Sequence, residues 1–280
     1  MPRDGSPVAP QWRARLALAF ERRGARTVLA RREHEGPLVV QKALYPEGDG
    51  ICHAIVVHPP GGVAGGDELT LSVDVAGDAQ ALLTTPGAAK WYRSLGASAR
   101  QQVSLRVHEG AALEWLPQES IVFDGAIADI SLDADLAPRS SLIAWDIVCL
   151  GRAASGERYE RGECRLRTRV RRGGQLVWFD RAAFRGGDRV LHAPAGLDGH
   201  TVFGTMIACL TNDCAPHRAS WRECAPAEGE GAISLVDGLL VARYRGDAAE
   251  AARRYFAELW ARVREPALGV AAVAPRIWST

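Results

Sequence analysis

Net charge, lysine and long apolar runs are what this sequence has least of. Its 34 basic and 33 acidic residues leave a net charge of +1, which excludes bulk attraction to nucleic acid or to a membrane surface as a binding mode. Only Lys42 and Lys90 are lysines, so arginine carries nearly all the positive charge. The longest uncharged apolar stretch, about residues 200–212, is shorter than the ~20 residues of a membrane-spanning helix. Met1 to Pro10 contain no apolar signal-peptide core, and a cytoplasmic setting is expected. Six cysteines in 280 residues are then expected to be free thiols rather than a disulfide framework. No linker-like stretch divides the chain, which reads as one domain over residues 1–280.

The common catalytic signatures are missing too. There is no Gly-x-Ser-x-Gly elbow to expose a serine nucleophile and no His-Glu-x-x-His pair for zinc. Gly61 and Gly66 have P-loop separation, but Asp67 stands where the phosphate-binding lysine belongs and Glu68 follows. Two carboxylates repel a polyphosphate, and a strand rather than a helix N-terminus follows the loop, which also excludes a dinucleotide fingerprint. An enzyme is not expected; an uncharacterised hydrolase remains an alternative.

What is present is a loop of unusual composition, His58-Pro59-Pro60-Gly61-Gly62-Val63-Ala64-Gly65-Gly66-Asp67. Proline fixes φ and glycine tolerates φ values closed to other residues, so this backbone path is specific. It is either a ligand cradle or a structural turn between strands. Leu69, Leu71, Val73 and Val75 then alternate with polar residues, the pattern of a half-buried strand.

Alternation recurs at Leu16–Phe20, at Val103–Val107 with Leu113 and Trp115 read as the return strand, at Cys164–Val170 and at Ile233–Tyr244, each run broken by a glycine-containing turn. Short strands at such spacing predict a mostly β protein: a large antiparallel or mixed sheet, or a β-helix-like scaffold. No repeat of fixed sequence marks a regular solenoid. One or two helices are expected. The clear one is near the C-terminus, capped by Asp247, with Ala252, Phe256, Leu259 and Val263 on one face and Pro266 at its close. That face packs either on the protein's own sheet or in a partner groove. The tail ending Pro275-Arg276-Ile277-Trp278 is expected to dock.

Cys209, Cys214, His217 and Cys224 lie within sixteen residues and comprise ligand types that suit zinc or nickel. Their spacing is not the paired Cys-x2-Cys of common zinc folds, and Cys209 sits in an apolar run where a buried thiol is ordinary. A stand-alone nickel- or zinc-binding protein using this cluster is therefore an alternative reading.

A series of segments identifies a family. Gly36-Pro37-Leu38, Leu44-Tyr45-Pro46-Glu47-Gly48, the loop His58–Asp67, Thr84-Thr85-Pro86-Gly87-Ala88-Ala89-Lys90, Glu114-Trp115-Leu116-Pro117-Gln118-Glu119, Ile121-Val122-Phe123-Asp124 and Gly151-Arg152 occur in order. They resemble the urease accessory protein UreD (UreH) family, closely over Gly36–Gly162 and more thinly from Asp180 onward. The resemblance implies a β-rich, non-enzymatic scaffold that binds apo-urease and the helical protein UreF, which recruits the GTPase UreG, so that nickel reaches the urease active site. It further implies a two-fold complex with UreF and a water-filled passage for nickel, with no tightly bound cofactor and only transient Ni2+.

A relay must release its metal, so scattered carboxylates and hydroxyls suit it better than a thiolate cage. The candidate lining residues are Asp67, Thr84, Thr85, Asp146, Glu157 and Asp180. Asp146 interrupts the apolar run Leu142–Leu150, and is otherwise an outward-facing residue or one paired with Arg152 or Arg181. Lys90, Tyr92 and Arg93 form either a partner-contact edge or a structural salt-bridge set. Asp67→Ala and Asp146→Ala are both expected to lower nickel loading of urease.

Overall fold

The alternating segments do form strands, but most consecutive strands belong to different sheets. A computed structural model describes residues 12–211 and 215–279. Its strands are β1 (Arg13–Arg23), β2 (Arg26–Glu35), β3 (Val39–Leu44), β4 (Ile51–Val57), β5 (Gly62–Val63), β6 (Glu68–Val75), β7 (Gln80–Thr84), β8 (Ala89–Trp91) and β9 (Ala99–Val107). They continue with β10 (Ala112–Leu116), β11 (Ser120–Val122), β12 (Ile127–Leu136), β13 (Ser141–Leu150), β14 (Glu163–Arg172), β15 (Gln175–Arg185), β16 (Val202–Cys209), β17 (Glu230–Val236) and β18 (Leu239–Gly246). The two helices are α1 (Arg218–Arg222) and α2 (Ala249–Leu268).

One sheet has the order β15-β14-β12-β9-β6-β1-β2; the other runs β17-β18-β16-β13-β10-β7-β4-β3. Within the first, β1, β6, β9, β12 and β14 pair in parallel, and within the second so do β4, β7, β10 and β13. Parallel neighbours need a crossover. Here the crossover is the opposite sheet, so the chain winds as a β-solenoid, with β5, β8 and β11 as a narrow third wall. Hairpins β1–β2, β3–β4, β14–β15 and β17–β18 lie at the two ends of the coil.

One expectation is corrected by this winding. The turn His108-Glu109-Gly110 does not return the chain to β9; it turns the corner from β9 into the other sheet, where β10 pairs with β7 and β13. Of the expected architectures the β-helix-like scaffold is the one found, and no fixed sequence repeat marks it because the coils are unequal. Glu68 pairs with Arg100, Ala99 with Ala128, and Ala128 with Cys164.

The first sheet has one face in solvent, which is why its strands alternate. The second is covered on both faces: every residue of β13 except Asp146 is buried. Its outer cover is α2, which buries Ala252, Phe256, Leu259, Trp260 and Val263 against β13, β16 and β18. The helix face thus packs on the protein's own sheet. The tail docks beside it: the Trp278 ring lies tilted against Trp145 and edge-on to Trp260, with centroids 5.5 Å away in both cases, and its Nε1–H donates to Thr84 Oγ1 at 2.9 Å.

The helix ends differ from expectation. Asp247 does not cap α2; Ala248 holds the N-cap position without a side-chain bond. The Asp247 carboxylate instead accepts the Thr201 N–H at 3.0 Å and lies 2.9 Å from His200 Nδ1. Pro266 lies inside the helix, which continues to a left-handed Gly269. A proline there has no N–H for the carbonyl four residues earlier, and the Arg262 carbonyl accepts the Trp221 indole N–H instead, at 3.1 Å.

Beneath α2 lies a fully buried guanidinium. Arg264 donates to Glu47 Oε1 at 2.8 Å and to both Glu114 oxygens at 3.0 Å. Trp260 Nε1–H donates to Glu114 at 2.6 Å, and His53 Nε2 lies 2.6 Å from Glu47. Burial opposes ionisation of Glu47, but the hydrogen bonds from His53 and Arg264 leave its carboxyl below the ordinary value. Burial pushes Glu114 up against the pull of the Arg264 cation.

Candidate functional site

Between the sheets the solenoid is not filled. A cavity of about 390 Å³ begins near Pro86, Gly87 and Lys90, which are exposed, and runs inward past His58, Gly62, Thr85 and Gln118 to Asp146 and Thr205. A second cavity, of about 530 Å³, is lined by Asp180, Phe184, Arg243 and the exposed Glu230. The two share Asp146, Leu166, Arg167, Thr168 and Thr205 as walls. Ile130, Leu132 and Leu166 sit on the inward face of their strands yet are only partly buried, because they border this space. The two cavities thus adjoin across a common wall that includes Asp146.

The glycine-rich loop shapes the first cavity. Gly62 leaves room for Tyr92: a Cβ there would lie 2.2 Å from the Tyr92 ring. Tyr92 in turn meets Phe123 edge-on, with centroids 5.3 Å apart. The Asp67 carboxylate closes the loop on itself, accepting the Trp12 N–H at 3.0 Å and the Ala64 N–H at 2.8 Å. The loop is therefore a built turn whose glycines border the cavity while its aspartate holds backbone.

Of the six candidate residues, Thr85, Asp146 and Asp180 line these cavities. Asp67, Thr84 and Glu157 do not. Thr84 is buried, donating to the Leu116 carbonyl at 2.6 Å and accepting from Trp278. Glu157 lies 2.6 Å from Arg152 and accepts the Asp124 N–H, which fixes the long connection between β13 and β14.

Asp146 faces inward, not to solvent, and its charged neighbours are neither Arg152 nor Arg181. Its Oδ1 accepts the Thr205 N–H at 3.1 Å. Across the junction Arg243 lies 2.8 Å from Asp180 and donates to Thr205 Oγ1 at 2.9 Å. Burial, aided by the Asp180 charge, pushes Asp146 from 3.8 up to about 6, against the Thr205 hydrogen bond and Arg243. A carboxyl whose folded pKa lies above its unfolded value supports the fold below pH ~4 and loses that support as pH rises through ~6. Asp146→Asn is thus expected to stabilise the protein at pH 8 by on the order of 2 kcal/mol and to change little at pH 4. Urea unfolding at the two pH values checks this; equal effects at both would contradict it.

The described members of the cysteine cluster are not brought together. Cys209 belongs to the core between the sheets, whereas Cys224 belongs to the core under α2, on the opposite face of the same sheet. Burial pushes the Cys209 thiol up to about 11, so it stays protonated and is a poor ligand at neutral pH. His217 is exposed and stacks on Trp221 at 5.7 Å; Cys214 lies outside the described residues. Among the described residues no group of three His, Cys, Asp or Glu is placed to hold a metal. No described helix is long and apolar enough to cross a membrane.

Arg243 and Thr205 escaped the sequence reading because no local pattern marks them; β16 and β18 bring them to Asp146 from far along the chain. Glu114 had a visible signal, an acid inside the apolar run Ala111–Leu116.

Comparison with known proteins gives a consistent result. The family model described as UreD urease accessory protein matches residues 13–279. A protein named urease accessory protein UreD from Azoarcus sp. (strain BH72) is 54% identical over 272 residues, covering 97% of this chain and 95% of the relative. Its namesake from Dechloromonas aromatica (strain RCB) is 51% identical over 278 residues, covering 97% and 96%. That from Nitrosococcus oceani is 45% identical over 270 residues, covering 96% and 90%. The likeness therefore continues past Gly162 into the C-terminal segment where the quoted motifs thin out.

Proposed function

Because the chain belongs to the UreD urease accessory protein family, we propose that it is a cytoplasmic, non-catalytic scaffold through whose interior Ni2+ passes on the way to urease. In this reading it binds apo-urease and a UreF-type partner, in a two-fold assembly that brings in the GTPase UreG. Nickel is cargo, not a resident cofactor.

The observation that carries this reading is the pair of cavities meeting at Asp146. Oxygen donors spaced along a wall bind a divalent cation loosely enough to let it go, and a charged carboxylate in a water-accessible interior lowers the cost of bringing the cation there. The Cys164 thiol, in the core between the sheets, does not compete: burial pushes it up to about 12, leaving it protonated. The same argument weighs against a storage protein built on Cys209 and Cys224.

The test is nickel content of urease matured with variants of this chain and its partner proteins. Asp146→Asn is expected to lower nickel per urease several-fold while co-purification with UreF and urease is unchanged. Asp67→Ala serves as the control that leaves loading near wild type, since Asp67 holds the loop and not the wall. Full loading with Asp146→Asn would refute the route.

A further inference from the structure

The junction of the two cavities is crossed by a tethered cation. Arg243, on β18, lies 2.8 Å from Asp180 on β15 and donates to Thr205 Oγ1 on β16 at 2.9 Å, while the Thr205 N–H donates to Asp146 on β13. Four strands are linked across the space. Arg167 also borders the shared wall, but its guanidinium is engaged by Asp133 at 2.9 Å, on the outward face of the first sheet. Arg243 is therefore the positive charge directed at the Asp146 and Asp180 carboxylates. It is also about half exposed, at 48%, and its guanidinium lies 5.6 Å from the Trp178 ring centroid. An aromatic face offers a cation a second resting place.

We propose that Arg243 is the gate of this route: a built-in counter-ion that a divalent cation displaces on entry and that displaces the cation in turn. The proposal rests on the passage reading above. Its physical basis is the problem every relay meets. Two carboxylates facing one partly dehydrated space attract a divalent cation strongly, because screening there is weak. A site that simply holds the ion is a trap. A guanidinium carried on the wall competes at a high effective concentration. When the cation enters, Arg243 swings toward Trp178 and solvent; when Arg243 returns to Asp180, the cation moves on.

The experiment compares Ni2+ retention by the full chain as wild type, Arg243→Gln, Arg243→Lys and Arg243→Gln/Asp180→Asn. Equilibrium dialysis against Ni2+ alone is followed by metal analysis, with thermal unfolding confirming that each variant is folded. Arg243→Gln is expected to bind Ni2+ about tenfold more tightly than wild type. Adding Asp180→Asn should abolish the gain, and Arg243→Lys, which keeps a tethered cation, should stay near wild type. Retention by Arg243→Gln no greater than wild type, or a gain indifferent to Asp180→Asn, overturns the gate. The two readings fail separately. Full urease loading by Asp146→Asn removes the route but leaves the binding comparison intact, whereas unchanged retention by Arg243→Gln removes the gate and leaves the route standing.

Discussion

Replacing Arg264 with methionine is expected to cost the fold about 3–5 kcal/mol, the scale of stranding a buried charge without its partner. Methionine fills much the same volume, so the loss is electrostatic rather than a packing void. Arg264 is fully buried and is the shared cation of Glu47 and Glu114. Without it, two carboxylates lie in a low-dielectric space with the His53 imidazole and the Trp260 indole as their remaining polar neighbours. They can avoid the penalty only by taking up protons. Glu47 then rises from below its ordinary value to above it, Glu114, already pushed up, rises further, and stability falls as pH rises. The deficit of Arg264→Met should accordingly be largest near pH 8 and shrink toward pH 5. Adding Glu47→Gln and Glu114→Gln should restore much of the loss at pH 8, since the stranded charges are gone. Urea unfolding of the three proteins across this range is the measurement. A deficit that is flat with pH would mean that the network contributes through shape alone.

The second large effect concerns the route. Ile130→Trp is expected to reduce nickel loading of urease to near the level obtained without this chain, with co-purification of the partners intact. Ile130 lies on β12, on the inward face, and borders the first cavity. A bulkier side chain in a packed core strains its neighbours, but one growing into about 390 Å³ of open space has room. Thermal unfolding should therefore show little change or a modest gain. This variant removes no carboxylate, so its effect separates a blocked route from a lost ligand. Wild-type loading by Ile130→Trp would mean that the ion does not travel between the sheets.

How far the chain could be read before folding depends on distance along it. Alternation in Leu69–Val75 and Cys164–Val170 marks strands correctly, and the stripe Phe256-Leu259-Val263 marks α2, because these are short-range consequences of one buried face. The identity of the corner at His108–Gly110 was not legible. A glycine turn into a hairpin and one into the next face of a solenoid look alike locally. Asp247 and Pro266 look like helix ends, but tertiary partners, His200 and the Trp221 indole, changed what those residues do. Asp146 announced itself as a charge in an apolar strand. The residues that give it meaning, Thr205 and Arg243, are polar side chains on ordinary half-buried strands and carry no local signal. Asp67 shows the reverse error: a carboxylate beside a conspicuous loop attracts attention even when its work is to hold two amides.

The clamp at Arg264 also bears on synthesis. Its two acidic partners lie 217 and 150 positions earlier in the chain. While the ribosome is still adding the intervening residues, Glu47 and Glu114 have no cation to meet, and the outer face of their sheet is bare of α2. Helix α2 supplies the cover and, at Arg264, the charge, so a product truncated before α2 keeps an unneutralised, greasy surface of the kind that protein quality control detects. Arrival of Arg264 and closure of the sheet are, in this architecture, nearly the same event.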